Sequence, residues 1–410
     1  MRRSGWTAVA CLAAALLLGA CSSSASSSPA ASTTSTSGPP LVIGISMSLS
    51  GDFADLASPA LKGYELWAAT VNANGGLLGR KVSLKVVDDA SNPTQAVTNY
   101  ENLITADHVD LVLGPFSSTL TIPTASVASR YGYAFIEPSG GAPQVFSLHL
   151  HNVFLAQPAP IISEGDAFAN YILSLPASQR PRTAAYPTAD DPFTQAIVGV
   201  IEQRLAAAGI KTVYSTVYAA ETVDLTPVVT RLVAEKPDLI VSGTGGPDAV
   251  SEVKGMVQAH WTPKFLFFTG GPNDPTFPGQ VGPGNAAGIF STGDWFPQAK
   301  TAGNAAFEKA YVAKYGGPAA AIDPAAAEAY AAGQLLQLVA QRNGKIDNAT
   351  IIAALHKGTW PTVEGNLSWD ANGSPLGSDL VVQWVGGQLL PVYPPASALA
   401  KPIAKPAWVG

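Results

Sequence analysis

Hydroxyl and glycine residues gather in two short stretches of this chain. Gly114-Pro115-Phe116-Ser117-Ser118-Thr119 follows the apolar run Val109 to Leu113, and Glu137-Pro138-Ser139-Gly140-Gly141-Ala142-Pro143 follows Tyr133 to Ile136. Both stretches supply hydroxyls and free backbone N–H groups, and a helix is expected to start behind the first. That combination binds a carboxylate or another anion. The competing local reading is plain helix capping by Ser117 or Ser118. Three more stretches follow apolar runs in the same way: Pro187 to Phe193, containing Asp191; Gly243 to Pro247, containing Gly245; and Thr269 to Asp274, containing Gly271. The acidic pairs Asp88-Asp89 and Asp190-Asp191 suit turns and caps. Gly243-Thr244-Gly245-Gly246 matches part of a dinucleotide fingerprint, but its third glycine position is Asp248. It therefore reads as a loop that lets a ligand or another backbone approach closely. Trp295, beside Phe296, is either an aromatic cleft wall or core.

Catalytic patterns fail. His108, His149, His151, His260 and His356 form neither H-E-x-x-H nor another metal-ligand spacing. There is no G-x-S-x-G elbow and no phosphate-cradling P-loop. The two cysteines are Cys11 and Cys21, both near the start, so the body that follows has no thiolate metal site, cysteine nucleophile or disulfide. No cofactor, metal or enzymatic activity is expected. A formal net charge of -6 with 13% charged residues carries no basic footprint for nucleic acid.

Arg2, Arg3 and the apolar run Ala8 to Leu18 read as an export signal, too short to span a bilayer comfortably. It ends in Leu18-Gly19-Ala20-Cys21, which resembles the lipobox of bacterial lipoproteins, in which the cysteine takes a diacylglycerol. Ser22 to Pro40 is almost entirely Ser, Ala, Thr, Gly and Pro, a flexible tether. From Leu41 onward, short apolar runs alternate with helical periodicity. The first half begins β-α-β-α-β-α-β, the expected pattern of a doubly wound sheet. The rhythm restarts after about residue 156, and short strands with Asn372-Gly373 and Gly386-Gly387 turns close the chain.

An ordered set of pieces carries a family resemblance. It runs through Ile43-Gly44, Leu49-Ser50-Gly51, Gly63-Tyr64-Glu65-Leu66, Asn72 to Lys81, Val87-Asp88-Asp89 with Asn92-Pro93, Gly114-Pro115, Ser117-Ser118-Thr119, Pro138-Ser139 and Leu367-Ser368-Trp369-Asp370. Together they resemble the type I periplasmic binding proteins, specifically the leucine/isoleucine/valine-binding receptors of ABC importers. The resemblance implies two Rossmann-like α/β lobes joined by three crossings and closing by a hinge on a small molecule. The lobes are expected at residues 41–155 plus about 292–361, and at about 156–291 plus about 362–395. Residues 1–21 form the signal, 22–40 the tether and 396–410 a C-terminal tail.

By the same resemblance, Ser118 corresponds to the serine that holds a ligand α-carboxylate, with Phe116 and Ser117 beside it. Ser139, Gly140 and Gly141 match the loop that supplies a carbonyl and a hydroxyl, although Gly141 has no side chain to give. Phe193, next to Asp191, stands for an aromatic of the second lobe, while Gly245 stands where an aromatic wall is absent. The acid that usually meets the ligand ammonium falls at Gly271, with Asp274 as a substitute three residues on. The implied partners are an amino acid or related small carboxylate or amide, the membrane permease, and a lipid anchor at Cys21 on the extracytoplasmic face. Two rival functions are a ligand sensor of the same fold and an extracytoplasmic α/β enzyme.

Overall fold

Runs such as Leu111–Leu113 and Leu239–Ser242 are buried along their whole length, as strands become when helices cover both faces of a sheet. The computed structural model describes residues 38–409; the signal, Cys21 and residues 22–37 of the tether lie outside the described residues. The first sheet uses β1 (Leu41–Met47), β2 (Val82–Asp88), β3 (Leu111–Leu113), β4 (Phe135–Glu137) and β5 (Val153–Leu155). All are parallel, in the order β2-β1-β3-β4-β5. The connecting helices are α1 (Ala54–Ala73), α2 (Pro93–Thr105), α3 (Ser118–Arg130) and the short α4 (Pro143–Ser147).

The second sheet repeats the winding. It contains β6 (Thr183–Ala189), β7 (Lys211–Tyr218), β8 (Leu239–Ser242), β9 (Phe265–Phe268) and β10 (Phe290–Gly293), parallel in the order β7-β6-β8-β9-β10. Its helices are α5 (Ile162–Ser174), α6 (Pro192–Ala207), α7 (Thr226–Glu235), α8 (Gly246–Gln258), α9 (Phe277–Val281) and α10 (Pro283–Ala286). The chain then returns to the first lobe as α11 (Asn304–Tyr315), α12 (Pro324–Asn343), α13 (Asn348–Leu355) and the hairpin β11 (Trp360–Thr362) and β12 (Gly365–Leu367). Last, β13 (Leu380–Val385) and β14 (Gln388–Tyr393) add antiparallel strands beside β10. The molecule is thus two doubly wound α/β lobes joined by three passages of chain.

Local chemistry sets the helix starts. Asn92, Asp191 and Asp347 each accept a backbone N–H from the first turn behind them, and Pro93 and Pro192 occupy first-turn positions. Packing then decides the lobes. Helix α12 returns from the second lobe to lie on α1, so closely that a Cβ at Gly333 would stand 2.2 Å from the Trp67 ring. Trp360, Val363, Leu367 and Trp369 join that first-lobe core, and the Trp369 indole donates to the Leu155 carbonyl at 2.7 Å. The third passage therefore falls after Trp369 and before Leu380, later than the boundary near residue 361 that the sequence suggested. The tail is held to the second lobe: Gln383 and Ile403 exchange two hydrogen bonds, and the Trp408 indole donates to the Trp261 carbonyl at 2.6 Å. Strand β5 has only three residues, too few for a period to show in the sequence.

Candidate functional site

In a doubly wound sheet the crevice lies beyond the carboxyl ends of the strands, where the strand order reverses. The loop after β3 meets the loop after β6 in this way, one from each lobe. Ser117 has the left-handed φ of 86° and accepts from the Leu120 N–H at 3.4 Å, so it caps α3. Ser118 is buried, and its Oγ accepts the Ala142 N–H at 3.1 Å, tying the two first-lobe loops together. The Ser139 hydroxyl donates to Glu328, and the Gly140 N–H donates to Glu137. Phe116 is half-buried and meets Phe53 at 6.5 Å between ring centroids.

From the second lobe, Asp191 caps α6 by accepting from Phe193 N at 2.8 Å and Thr194 N at 3.2 Å. Its other oxygen accepts from the Thr119 hydroxyl at 2.9 Å, a hydrogen bond from lobe to lobe. Gly245 opens α8 with free space where a Cβ would be, and at Gly246 a Cβ would lie 3.8 Å from Leu56 of α1. Phe193 is half-buried against the core of its own lobe. The two lobes are therefore in contact. Replacing Thr119 by Val should weaken ligand binding about two- to tenfold by removing one bond specific to this closed arrangement. Calorimetric titration of the variant beside the wild type reads the change; equal affinities would mean that closure does not use this bond.

Two glycines show why family-type side chains are missing. A Cβ at Gly141 would stand 2.4 Å from Leu155 Cδ2 and 3.1 Å from Ile161, so a threonine hydroxyl has no room there. Gly271 has φ of 95°, and a Cβ on it would stand 2.6 Å from the Ala249 Cβ. No acid fits at that position. Asp274 spends its carboxylate on its own turn, accepting from Thr276 N at 2.7 Å and Thr276 Oγ1 at 2.9 Å. Trp295 is a core residue rather than a cleft wall: it packs edge-on to Phe307 at 5.7 Å, and its indole N–H is satisfied by Asn304 at 2.8 Å.

Sequence reading missed the carboxyl groups behind these loops. Glu137 and Glu328 are buried, and burial pushes Glu137 up to about 8 and Glu328 well above the usual carboxylate range. Burial raises Glu364 and Asp379 likewise. Only a spatial view gathers them, since Glu328 sits alone in the run Ala325 to Ala332 and Glu364 in a hairpin turn. Among the described residues, no group of three or more His, Cys, Asp and Glu is arranged to hold a metal ion.

Comparison with known proteins agrees with this geometry. The profile of the family described as "Periplasmic binding protein" matches residues 40–388. The "Amino acid binding protein" of Pseudomonas aeruginosa is 27% identical over 347 residues, covering 84% of this chain and 90% of that one. The "Leu/Ile/Val-binding protein homolog 1" of Brucella abortus is 27% identical over 352 residues, covering 85% and 91%. Among solved structures, the branched-chain amino acid transporter substrate binding protein LivJ of Streptococcus pneumoniae, in complex with isoleucine, superposes with a TM-score of 0.74. It is 21% identical and covers 85% of this chain and 97% of its own. A solute binding protein of an ABC transporter from R. palustris, in complex with benzoate, gives a TM-score of 0.73 at 23% identity, covering 90% and 98%.

Proposed function

The chain belongs to the periplasmic binding protein family, and from that premise we propose that it is the solute receptor of an ABC importer. The ligand is an amino acid or a related small carboxylate or amide, held between the lobes and passed to the membrane permease. The observation that carries this reading is the Thr119–Asp191 hydrogen bond. It joins the lobes directly over the loops that a doubly wound fold offers to a ligand. Ligand shifts the lobes toward closure only by binding the closed state better. We assign the anionic end of the ligand to Ser118 and the Ser139–Gly141 backbone, with the loops at Asp191, Gly245 and Gly271 closing over it. The family is one of binding proteins and implies an extracytoplasmic location. The sequence Leu18 to Cys21 supports a lipid anchor at Cys21, and Cys21→Ala should move the protein from the membrane fraction to the soluble fraction. Retention in the membrane fraction would reject the anchor.

A thermal-shift screen on ligand-stripped protein tests the receptor reading, with branched-chain, polar and aromatic amino acids beside amides and carboxylates that lack nitrogen. A true ligand at about 100 times its Kd stabilises by about 2.7 kcal/mol. Ser118→Ala should then weaken the responding ligand by about 1–3 kcal/mol, through the lost contact and the Ala142 N–H left without a partner. Unchanged affinity in that variant would overturn the anchor, and a panel without any response would overturn the receptor reading.

A further inference from the structure

Three side chains from three elements fix one short loop of the first lobe, Ser139 to Ala142 after β4. The Ser139 hydroxyl donates to Glu328 of α12, and the Gly140 N–H donates to Glu137, the last residue of β4. The Ala142 N–H donates to Ser118 Oγ, at the start of α3, at 3.1 Å. The two acids are themselves tightly placed. Glu137 is fully buried, and a Cβ at Gly114 would stand 2.3 Å from the Glu137 Cβ. A Cβ at Gly140 would stand 2.2 Å from Thr121 Oγ1 and 2.9 Å from Glu137 Oε2, so the loop lies directly on these two side chains. Glu328 is placed by helix packing: a Cβ at Gly63 of α1 would stand 2.2 Å from the carbonyl oxygen of Ala326, two residues before it.

Both acids hold the loop without setting a negative charge beneath it. Among the described residues, neither forms an ion pair with Lys, Arg or His. An unpaired carboxylate in a buried place is costly, so burial keeps the proton on each at neutral pH. A neutral carboxyl still accepts a hydrogen bond through its carbonyl oxygen. It also does not repel an anion that binds on the other side of the loop.

We propose that Glu137 and Glu328 are positioning residues of the ligand anchor, holding Gly140 and Ser139 in the shape that receives the ligand and acting on it only through the loop. This deepens the receptor reading and rests on it. The loop cannot brace itself: Gly140 and Gly141 have no side chains, and glycine loses more conformational freedom on ordering than any other residue. Its order comes from Glu137, Glu328 and Ser118. A loop already fixed in its bound shape loses less freedom when the ligand arrives, and affinity rises accordingly.

The test compares Glu137→Met, which removes the acceptor for the Gly140 N–H, with Glu137→Gln, which keeps one. Wild type and variants are titrated calorimetrically at pH 7 with L-leucine, L-phenylalanine, acetamide and benzoate. Glu137→Met should weaken the ligand that binds at least about tenfold, and Glu137→Gln should stay within about threefold of the wild type. Residue-resolved hydrogen exchange of the ligand-free protein reads the loop itself. The Gly140 amide should be protected at least about 100-fold in the wild type, lose at least about tenfold of that protection in Glu137→Met, and retain it in Glu137→Gln. Glu328→Met beside Glu328→Gln gives the same comparison through the Ser139 hydroxyl if Glu137→Met does not fold. Wild-type affinity in the methionine variants, equal losses in the glutamine and methionine variants, or a Gly140 amide that exchanges freely in the wild type overturns the inference and leaves the receptor reading standing. If the wild type binds none of these ligands and no other member of the screen, the receptor reading falls and this inference with it.

Discussion

Gly271→Glu is expected to destabilise the protein by about 2–5 kcal/mol without improving its affinity for amino acids. The substitution places an acid where the related leucine/isoleucine/valine receptors are expected to carry one, so analogy alone forecasts a gain in binding. The backbone argues otherwise. At φ of 95° an L side chain is strained, by about 1–2 kcal/mol. The new Cβ would also stand 2.6 Å from that of Ala249 on α8, and overpacking of this kind costs about 1–3 kcal/mol. Helix α8 packs through Ala249 into the second-lobe core, so it has little freedom to retreat. Urea unfolding read by intrinsic fluorescence measures the loss, with Gly271→Ala as a smaller change of the same sign. A Gly271→Glu variant with a wild-type midpoint and tighter leucine binding would show that the loop after β9 adapts.

Raising the pH from 5 to 8.5 should lower stability by at least about 4 kcal/mol, the equivalent of a three-unit rise at a single buried carboxyl. Burial lifts Glu137 and Glu252 to about 8 and Asp323 to about 7. A carboxyl whose folded value is raised holds its proton more tightly when folded. Its stabilising effect is complete below the unfolded value of about 4.5 and is lost as pH rises toward the folded value. The window is therefore about pH 4.5 to 8. Carboxylates held low act elsewhere: the Ser50 hydroxyl lowers Asp88 and the Thr350 N–H lowers Asp347, and both contribute stability that is present above about pH 4 and lost as pH falls below it. Thermal unfolding at constant ionic strength should show Tm falling through the neutral range. A Tm that rises from pH 5 to 8.5 would mean that these carboxyls are ionised in the folded protein and matched by charges absent from this arrangement.

Much of this protein is local and was therefore readable. Apolar runs of a few residues followed by helical spacing specify buried parallel strands with covering helices, and that pattern appears twice. Asp191 caps a helix, as the short-range chemistry of Asp before Pro192 suggests, and Ser117 does the same before α3. The same Asp191 also reaches Thr119 of the other lobe, and nothing within either segment announces that contact. Which lobe the hairpin at Trp360 joins is likewise decided by packing on α12, and Trp295 becomes core because Phe307 and Asn304 arrive beside it.

The missing side chains at Gly141 and Gly271 were visible as letters, but their cause was not. Leu155, Ile161 and Ala249 fill the space, from sequence positions that carry no mark of it. The buried acids are the extreme case. Glu137, Glu328, Glu364 and Asp379 lie on four different segments, each ordinary in its neighbourhood. Sequence determines what is set by a residue and its near neighbours: strand, helix, cap and lobe repeat. Only the tertiary structure decides which of these carboxyls lie dry, because burial acts through space and depends on segments far apart in the chain.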